Sequence, residues 1–149
     1  MLTVRRATED DHLDLFKLLV PMHRETDFQH YVLNPEKSFA SLGNWIHNKN
    51  NLCFVAINEV KIVGAMFGTV APLWFSDELV AREDLLYVHP DYRGGRAAYI
   101  LAKAFLEAAK SAGIKHVQAG VSTGLGQGAE RLYRHLGMTY MGGNFVAHF

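Results

Sequence analysis

Asp84-Leu85-Leu86-Tyr87-Val88, then His89-Pro90-Asp91-Tyr92, then Arg93-Gly94-Gly95-Arg96-Ala97-Ala98, is the stretch on which the reading of this chain turns. The run from Asp84 to Val88, apolar after its first residue, reads as a buried strand, halted by His89-Pro90-Asp91, where Pro90 cannot donate to a ladder. Beyond the glycines, Leu101, Phe105, Ala108 and Ala112 form an apolar stripe while Lys103, Glu107 and Lys110 take the opposite side, so the spacing predicts a helix over residues 97–112. Gly113 is its natural C-cap, and residues 114–121 read as another strand. Strand, glycine-rich turn, helix and strand make a parallel crossover. The helix start offers unpaired backbone N–H groups and a dipole, which together form an anion site, and small residues let a phosphate approach. A glycine-rich turn before a helix is also simply a tight connection, so the stretch alone leaves both readings open.

Upstream, Leu2-Thr3-Val4-Arg5 alternates like a short strand, and Thr8 with Glu9-Asp10-Asp11 supplies an N-cap and first-turn acids. A helix follows to about Val20, with Pro21 ending or kinking it. Phe39, Leu42 and Ile46 share a second helix face, which Asn50 and Asn51 break. Residues 52–57 and 61–70 flank Asn58-Glu59-Val60 and predict an antiparallel hairpin, followed by a loop with Pro72, Trp74 and Asp77. Downstream, Ala129, Leu132, Tyr133 and Leu136 mark a last helix closed by Gly137, and residues 138–149 predict one or two final strands interrupted by Gly142-Gly143.

A chain of 149 residues predicts one domain. Its 15 basic and 15 acidic residues balance, which argues against a nucleic-acid-binding face. The lone Cys53 excludes an internal disulfide, and neither a signal peptide nor a membrane-length apolar run is evident, so a soluble, cytoplasmic protein with no membrane partner is expected. No two of the eight histidines stand three or four positions apart as helical zinc ligands would, so no metal is expected. Cys53 sits in a core-like strand and Ser122 lacks a recognisable partner, so a covalent nucleophile has no support. Gly124-Leu125-Gly126-Gln127-Gly128-Ala129 fits a dinucleotide-binding pattern, but about 20 residues remain after it, too few for the rest of such a fold; a loop beside the cofactor is expected instead.

Val88-His89-Pro90-Asp91-Tyr92-Arg93 resembles the approach to the pyrophosphate loop of the GNAT family of N-acetyltransferases, and Arg93 and Ala98 match the two ends of that loop's pattern. Arg96 stands where the family usually has glycine. Leu132-Tyr133 with Gly137-Met138 resembles the family's last helix, and Val4-Arg5-Arg6-Ala7-Thr8-Glu9-Asp10-Asp11 its opening, so the likeness covers most of the chain and is weakest over residues 22–50. An asparagine often found before the last helix is replaced by Gly126.

The resemblance implies an α+β fold of three-layer type, with a mixed, mostly antiparallel sheet splayed between the strand ending at Val88 and the one starting near Ile114. It implies acetyl-coenzyme A (acetyl-CoA) as cosubstrate, in that splay, and an amine acceptor attacking the thioester directly in a ternary complex. Leu86, Tyr87 and Val88 would hold the pantetheine arm, and Arg93, Gly94, Gly95, Arg96, Ala97, Ala98 and Tyr99 the pyrophosphate end. An alkyl amine is mostly protonated at neutral pH, so a base is needed. Asp84 matches a carboxylate used in the family and Glu83 is the alternative, with water as a possible relay; strand alternation puts the two on opposite faces, and both also read as strand-entry charges in solvent. Tyr133 matches the family's general acid, and equally reads as a core aromatic on an apolar helix face. Acceptor contacts are expected from Glu25, Asp27 and Trp74, which also read as exposed loop residues, and a homodimer is expected. The alternative is a non-catalytic protein of the same fold that binds coenzyme A or serves in assembly.

Overall fold

Alternation along one strand sets the two faces of the sheet. In β2 (Leu52–Asn58), Leu52, Phe54 and Ala56 go to one hydrophobic cluster and Cys53, Val55 and Ile57 to the other. The structure, a computed structural model, describes residues 1–120 and 126–149. β1 (Leu2–Arg6) runs antiparallel to β2, and β3 (Lys61–Pro72) returns along β2 through Glu59, which adopts the left-handed region at φ 58°. β4 (Leu79–Val88) is antiparallel to β3, and β5 (His116–Gln118) is parallel to β4, giving the order β1-β2-β3-β4-β5.

One face is covered by α1 (His12–Glu25) and α2 (Pro35–His47), which bury Leu15, Leu18, Leu42 and Ile46 against Val55, Ala65 and Phe67. The other is covered by α3 (Ala97–Ser111) and α4 (Gly126–His135), with Leu101, Phe105, Ala109 and Tyr133 packed on Phe54, Met66 and Ala81. Each fully buried Leu or Phe contributes roughly 1.5–3 kcal/mol, so the two layers supply most of what holds the sheet flat against its helices. At the chain start, Arg5 donates two hydrogen bonds to the Asp11 carboxylate (2.7 and 2.9 Å), which also accepts from the Thr8 N–H at 2.7 Å. That clamp fixes β1 to the turn that opens α1.

β3 and β4 shift register between Phe67 and Gly68, so that Asp84 is an extra residue on β4, a β-bulge. Gly68 sits at this step with Phe105 packed directly over it. A Cβ there would collide with the Phe105 ring and lie 2.6 Å from the Arg82 carbonyl oxygen, which belongs to the backbone and cannot swing away. Gly68→Ala is therefore expected to destabilise the protein by about 3 kcal/mol, read in thermal unfolding as a Tm lower by roughly 10 °C. An unchanged Tm would mean that the bulge relaxes freely.

Several boundaries differ from the sequence expectation. Pro21 lies inside α1 and does not end it: the hydrogen bond it forfeits is the one to the Lys17 carbonyl, and both residues are exposed, so water serves that oxygen. β4 begins at Leu79, five residues before the expected start at Asp84, because it pairs with β3 as far as Pro72. β5 is shorter than predicted, and Val121, where it was expected to end, lies outside the described residues. So do Ser122, Gly124 and Leu125, the last two opening the glycine pattern weighed above. Residues 138–149 form no strand: Gly142, at φ 144°, breaks the extended run, and β5 offers only three residues of edge to pair with. Among the described residues, no helix is long and apolar enough to cross a membrane.

Candidate active site

The sheet forks at its β5 side. β4 pairs with β5 only at Val80, Ala81 and Arg82; among the described residues, 83–88 of β4 pair with β3 alone. On that side of β4 the Val88 carbonyl accepts from Arg93, and the strand's other main-chain groups beyond Arg82 pair with no strand among the described residues. The strand then leaves through a short 3-10 turn, Pro90–Tyr92, and reaches α3 by way of Gly94, whose φ of 78° is one that glycine adopts without strain. Arg96 precedes the helix, exposed and without a side-chain cap on the first N–H groups. Gly94 and Gly95 are exposed beside it and Ala97 is buried, so small residues and uncapped N–H groups surround the helix start. Tyr99 is partly buried, its ring 6.0 Å from that of His135.

Arg93 turns away from this helix start. Its Nε donates to the Val88 carbonyl (2.9 Å), its Nη2 pairs with the Glu25 carboxylate at the end of α1, and its guanidinium lies 5.3 Å from the centre of the Tyr87 ring. The glycine-rich turn is thereby tied to the last residue of α1. Glu25, expected as an acceptor contact, is engaged in this tether.

The two carboxylates face opposite sides of the sheet, and the bulge brings Asp84 to the same face as Leu85. Asp84 and Leu85, consecutive residues, both line a cavity on the α1/α2 face, while Glu83 lies on the α3/α4 face. Asp84 accepts a hydrogen bond from the Thr69 hydroxyl. Glu83 accepts one from the Gly120 N–H (2.9 Å) just past β5, across the fork. Burial raises the Glu83 carboxyl from 4.5 to about 7, with the Asp84 charge adding to the effect and the Gly120 N–H opposing it. Tyr133 is 8% exposed and its hydroxyl has no hydrogen-bond partner among the described residues. Burial, then the nearby Glu83 charge, push its pKa up, so the phenol keeps its proton.

The cavity, about 490 Å³, lies between α1, α2 and β4. Met22 and His23 line it, but Asp27 and Trp74 do not: Asp27 opens a 3-10 turn that reaches the cavity only through Phe28, and Trp74 is 94% exposed at the β3–β4 connection against Phe75. Sequence reasoning missed Phe16, Trp45 and Tyr31 as lining residues. For Phe16 and Trp45 the available signal was an aromatic on each helix beside the stripe Leu15, Leu18, Leu42 and Ile46; Tyr31, between the helices, had none. The described residues contain no group of three or more His, Cys, Asp or Glu side chains able to hold a metal ion.

A forked mixed sheet, an uncapped helix start behind a glycine turn, and helices on both faces define an acyltransferase class of fold. A family model described as the acetyltransferase (GNAT) family matches residues 14–138, and the chain belongs to that family. The chain is similar in structure to the acetyltransferase of GNAT family from Streptococcus pneumoniae, with 22% identity, a TM-score of 0.77, and 100% of this chain and 93% of that chain covered. It is similar to a transcriptional regulator from Bacillus halodurans C-125, with 25% identity, a TM-score of 0.75 and 100% of each chain covered. An aminoglycoside acetyltransferase from an uncultured soil metagenomic sample, in complex with sisomicin, shares 22% identity at a TM-score of 0.72, covering 99% of this chain and 93% of that chain. Comparison with curated proteins finds no match.

Proposed function

We propose that the protein transfers an acetyl group from acetyl-CoA to a primary amine by direct attack within a ternary complex. The observation that carries this reading is the fork: among the described residues, β4 has no strand on its β5 side over residues 83–88, with the uncapped start of α3 at one end and, beside it, the buried Tyr133 hydroxyl, which has no hydrogen-bond partner among those residues. When bound, acetyl-CoA supplies the acyl group already activated as a thioester. Leu86, Tyr87 and Val88 would hold its pantetheine arm through main-chain groups, as an added strand is held. Gly94, Gly95, Arg96, Ala97 and Ala98 would hold its pyrophosphate at the helix dipole.

The roles of the side chains follow from where each one faces. Asp84, on the cavity, receives the amine and takes its proton, directly or through water, because an ammonium has no lone pair with which to attack. Tyr133, a phenol protonated at neutral pH whose hydroxyl has no partner among the described residues, gives a proton to sulfur as the carbon–sulfur bond breaks. Glu83 holds the Gly120 N–H across the fork and keeps the mouth of β5 in place.

Titration calorimetry tests the cofactor. Acetyl-CoA is expected to bind at micromolar concentration, and NAD not to bind. Gly95→Glu, which adds a carboxylate at an exposed position of the helix start, is expected to weaken acetyl-CoA by about tenfold. Binding of NAD instead, or of neither compound, would overturn the reading.

A further inference from the structure

We infer that the acceptor is an amphiphilic monoamine, a single primary ammonium on an apolar body of arylalkyl size, and that polyamines and aminoglycosides are poor substrates. The inference rests on the acetyl-transfer reading above and concerns the substrate class of the same site. The cavity of about 490 Å³ is walled by Phe16, Leu19, Met22, Leu42, Trp45 and Leu85. A cavity of this size and lining suits a small apolar ligand fixed by few polar groups. Among the described residues, Asp84 is the only acid that lines it. Thr69 donates to one Asp84 oxygen, which orients the carboxylate and leaves acceptor capacity for one ammonium.

The other charges work against a polycation. Lys37 stands exposed on the lining, and His23 meets the carbonyl of Tyr31 through its Nε2 at 2.6 Å. A second ammonium would find no second carboxylate on the lining and would share it with the Lys37 cation, so it gains none of the pairing that Asp84 gives the first. Because the bulge brings Asp84 and Leu85 to the same cavity, the carboxylate sits directly beside an apolar contact, the arrangement that an amine one or two carbons from a ring requires. In the reaction the ammonium first gives one proton to Asp84; the free amine nitrogen then bonds to the acetyl carbon and sheds its second proton to solvent, while the carbon–sulfur bond breaks, sulfur leaves with the Tyr133 proton, and the phenolate regains a proton from solvent.

The test pairs direct binding with turnover. 2-Phenylethylamine is titrated into the protein alone, then compared with spermidine and kanamycin by release of the coenzyme thiol. Expected results are saturable binding of 2-phenylethylamine without coenzyme, weakened about tenfold or more by Asp84→Asn. Ser41→Trp, which fills the cavity from an exposed position on α2, is expected to abolish it. The value of kcat/KM for 2-phenylethylamine should exceed that for spermidine by about 10². Higher kcat/KM on spermidine or kanamycin would overturn the substrate class and leave acetyl transfer standing. Failure of acetyl-CoA to bind, with no turnover of any amine, would overturn acetyl transfer instead; the binding of 2-phenylethylamine, and its sensitivity to Ser41→Trp, then decides the cavity's preference alone.

Discussion

Tyr133→Phe is expected to melt higher than the parent protein while turning over more slowly by a factor of about 10²–10³. The two effects have one origin. The Tyr133 hydroxyl is buried with no hydrogen-bond partner among the described residues, so removing it relieves a desolvated polar group worth about 1 kcal/mol, a few degrees in Tm. The same hydroxyl is the proton donor assigned to the leaving sulfur, and phenylalanine has none to give. Calorimetric melting and initial rates of thiol release, on the same preparation, check both halves. A rate within about twofold of the parent would make Tyr133 a core aromatic and no more. A lower Tm would show that its oxygen has a partner in the folded state.

Glu83→Gln should separate the two carboxylates through pH. The folded-state pKa of Glu83 is raised from 4.5 to about 7, so the folded protein holds this proton more tightly than the unfolded chain. Its contribution to stability is fully present below about pH 4.5 and is lost as pH rises through about 7. Glutamine keeps an oxygen for the Gly120 N–H and carries no charge to desolvate. The variant should therefore match the parent near the acid end and exceed it by about 2 kcal/mol above pH 8, a value reduced for partial solvent screening. Urea unfolding at two pH values measures the difference; an equal offset at both would mean that Glu83 does not titrate in this range. Turnover by the same variant assigns the base: activity within about tenfold of the parent leaves the role with Asp84, and a loss of about 10³ moves it to Glu83.

Elements with one dominant local cause were legible in the sequence. The hairpin at Glu59, the helix from Ala97 with its apolar stripe, and its stop at Gly113 each follow from a short pattern that packing then reinforces. The bulge at Asp84 was not legible, because Leu85-Leu86-Tyr87-Val88 is apolar throughout and an unbroken apolar run carries no phase to read. Alternation did separate Glu83 from Asp84, yet it could not say that Leu85 follows Asp84 to the same face. The continuation of α1 past Pro21 depended on which side of the helix lost its bond, a fact set by tertiary packing. The cavity is a meeting of α1, α2 and β4, distant in sequence, and no local pattern announces such a meeting.

The tie between Arg93 and Glu25 joins the turn at the start of α3 to the end of the helix whose Met22 and His23 line the cavity. A ligand that shifts the turn and a ligand that shifts the end of α1 would be coupled through that ion pair. Linkage makes the traffic symmetrical: whatever factor the coenzyme applies to acceptor affinity, the acceptor returns to the coenzyme. The size of that shared factor would change with the Arg93–Glu25 contact while the fork and the cavity stay as they are.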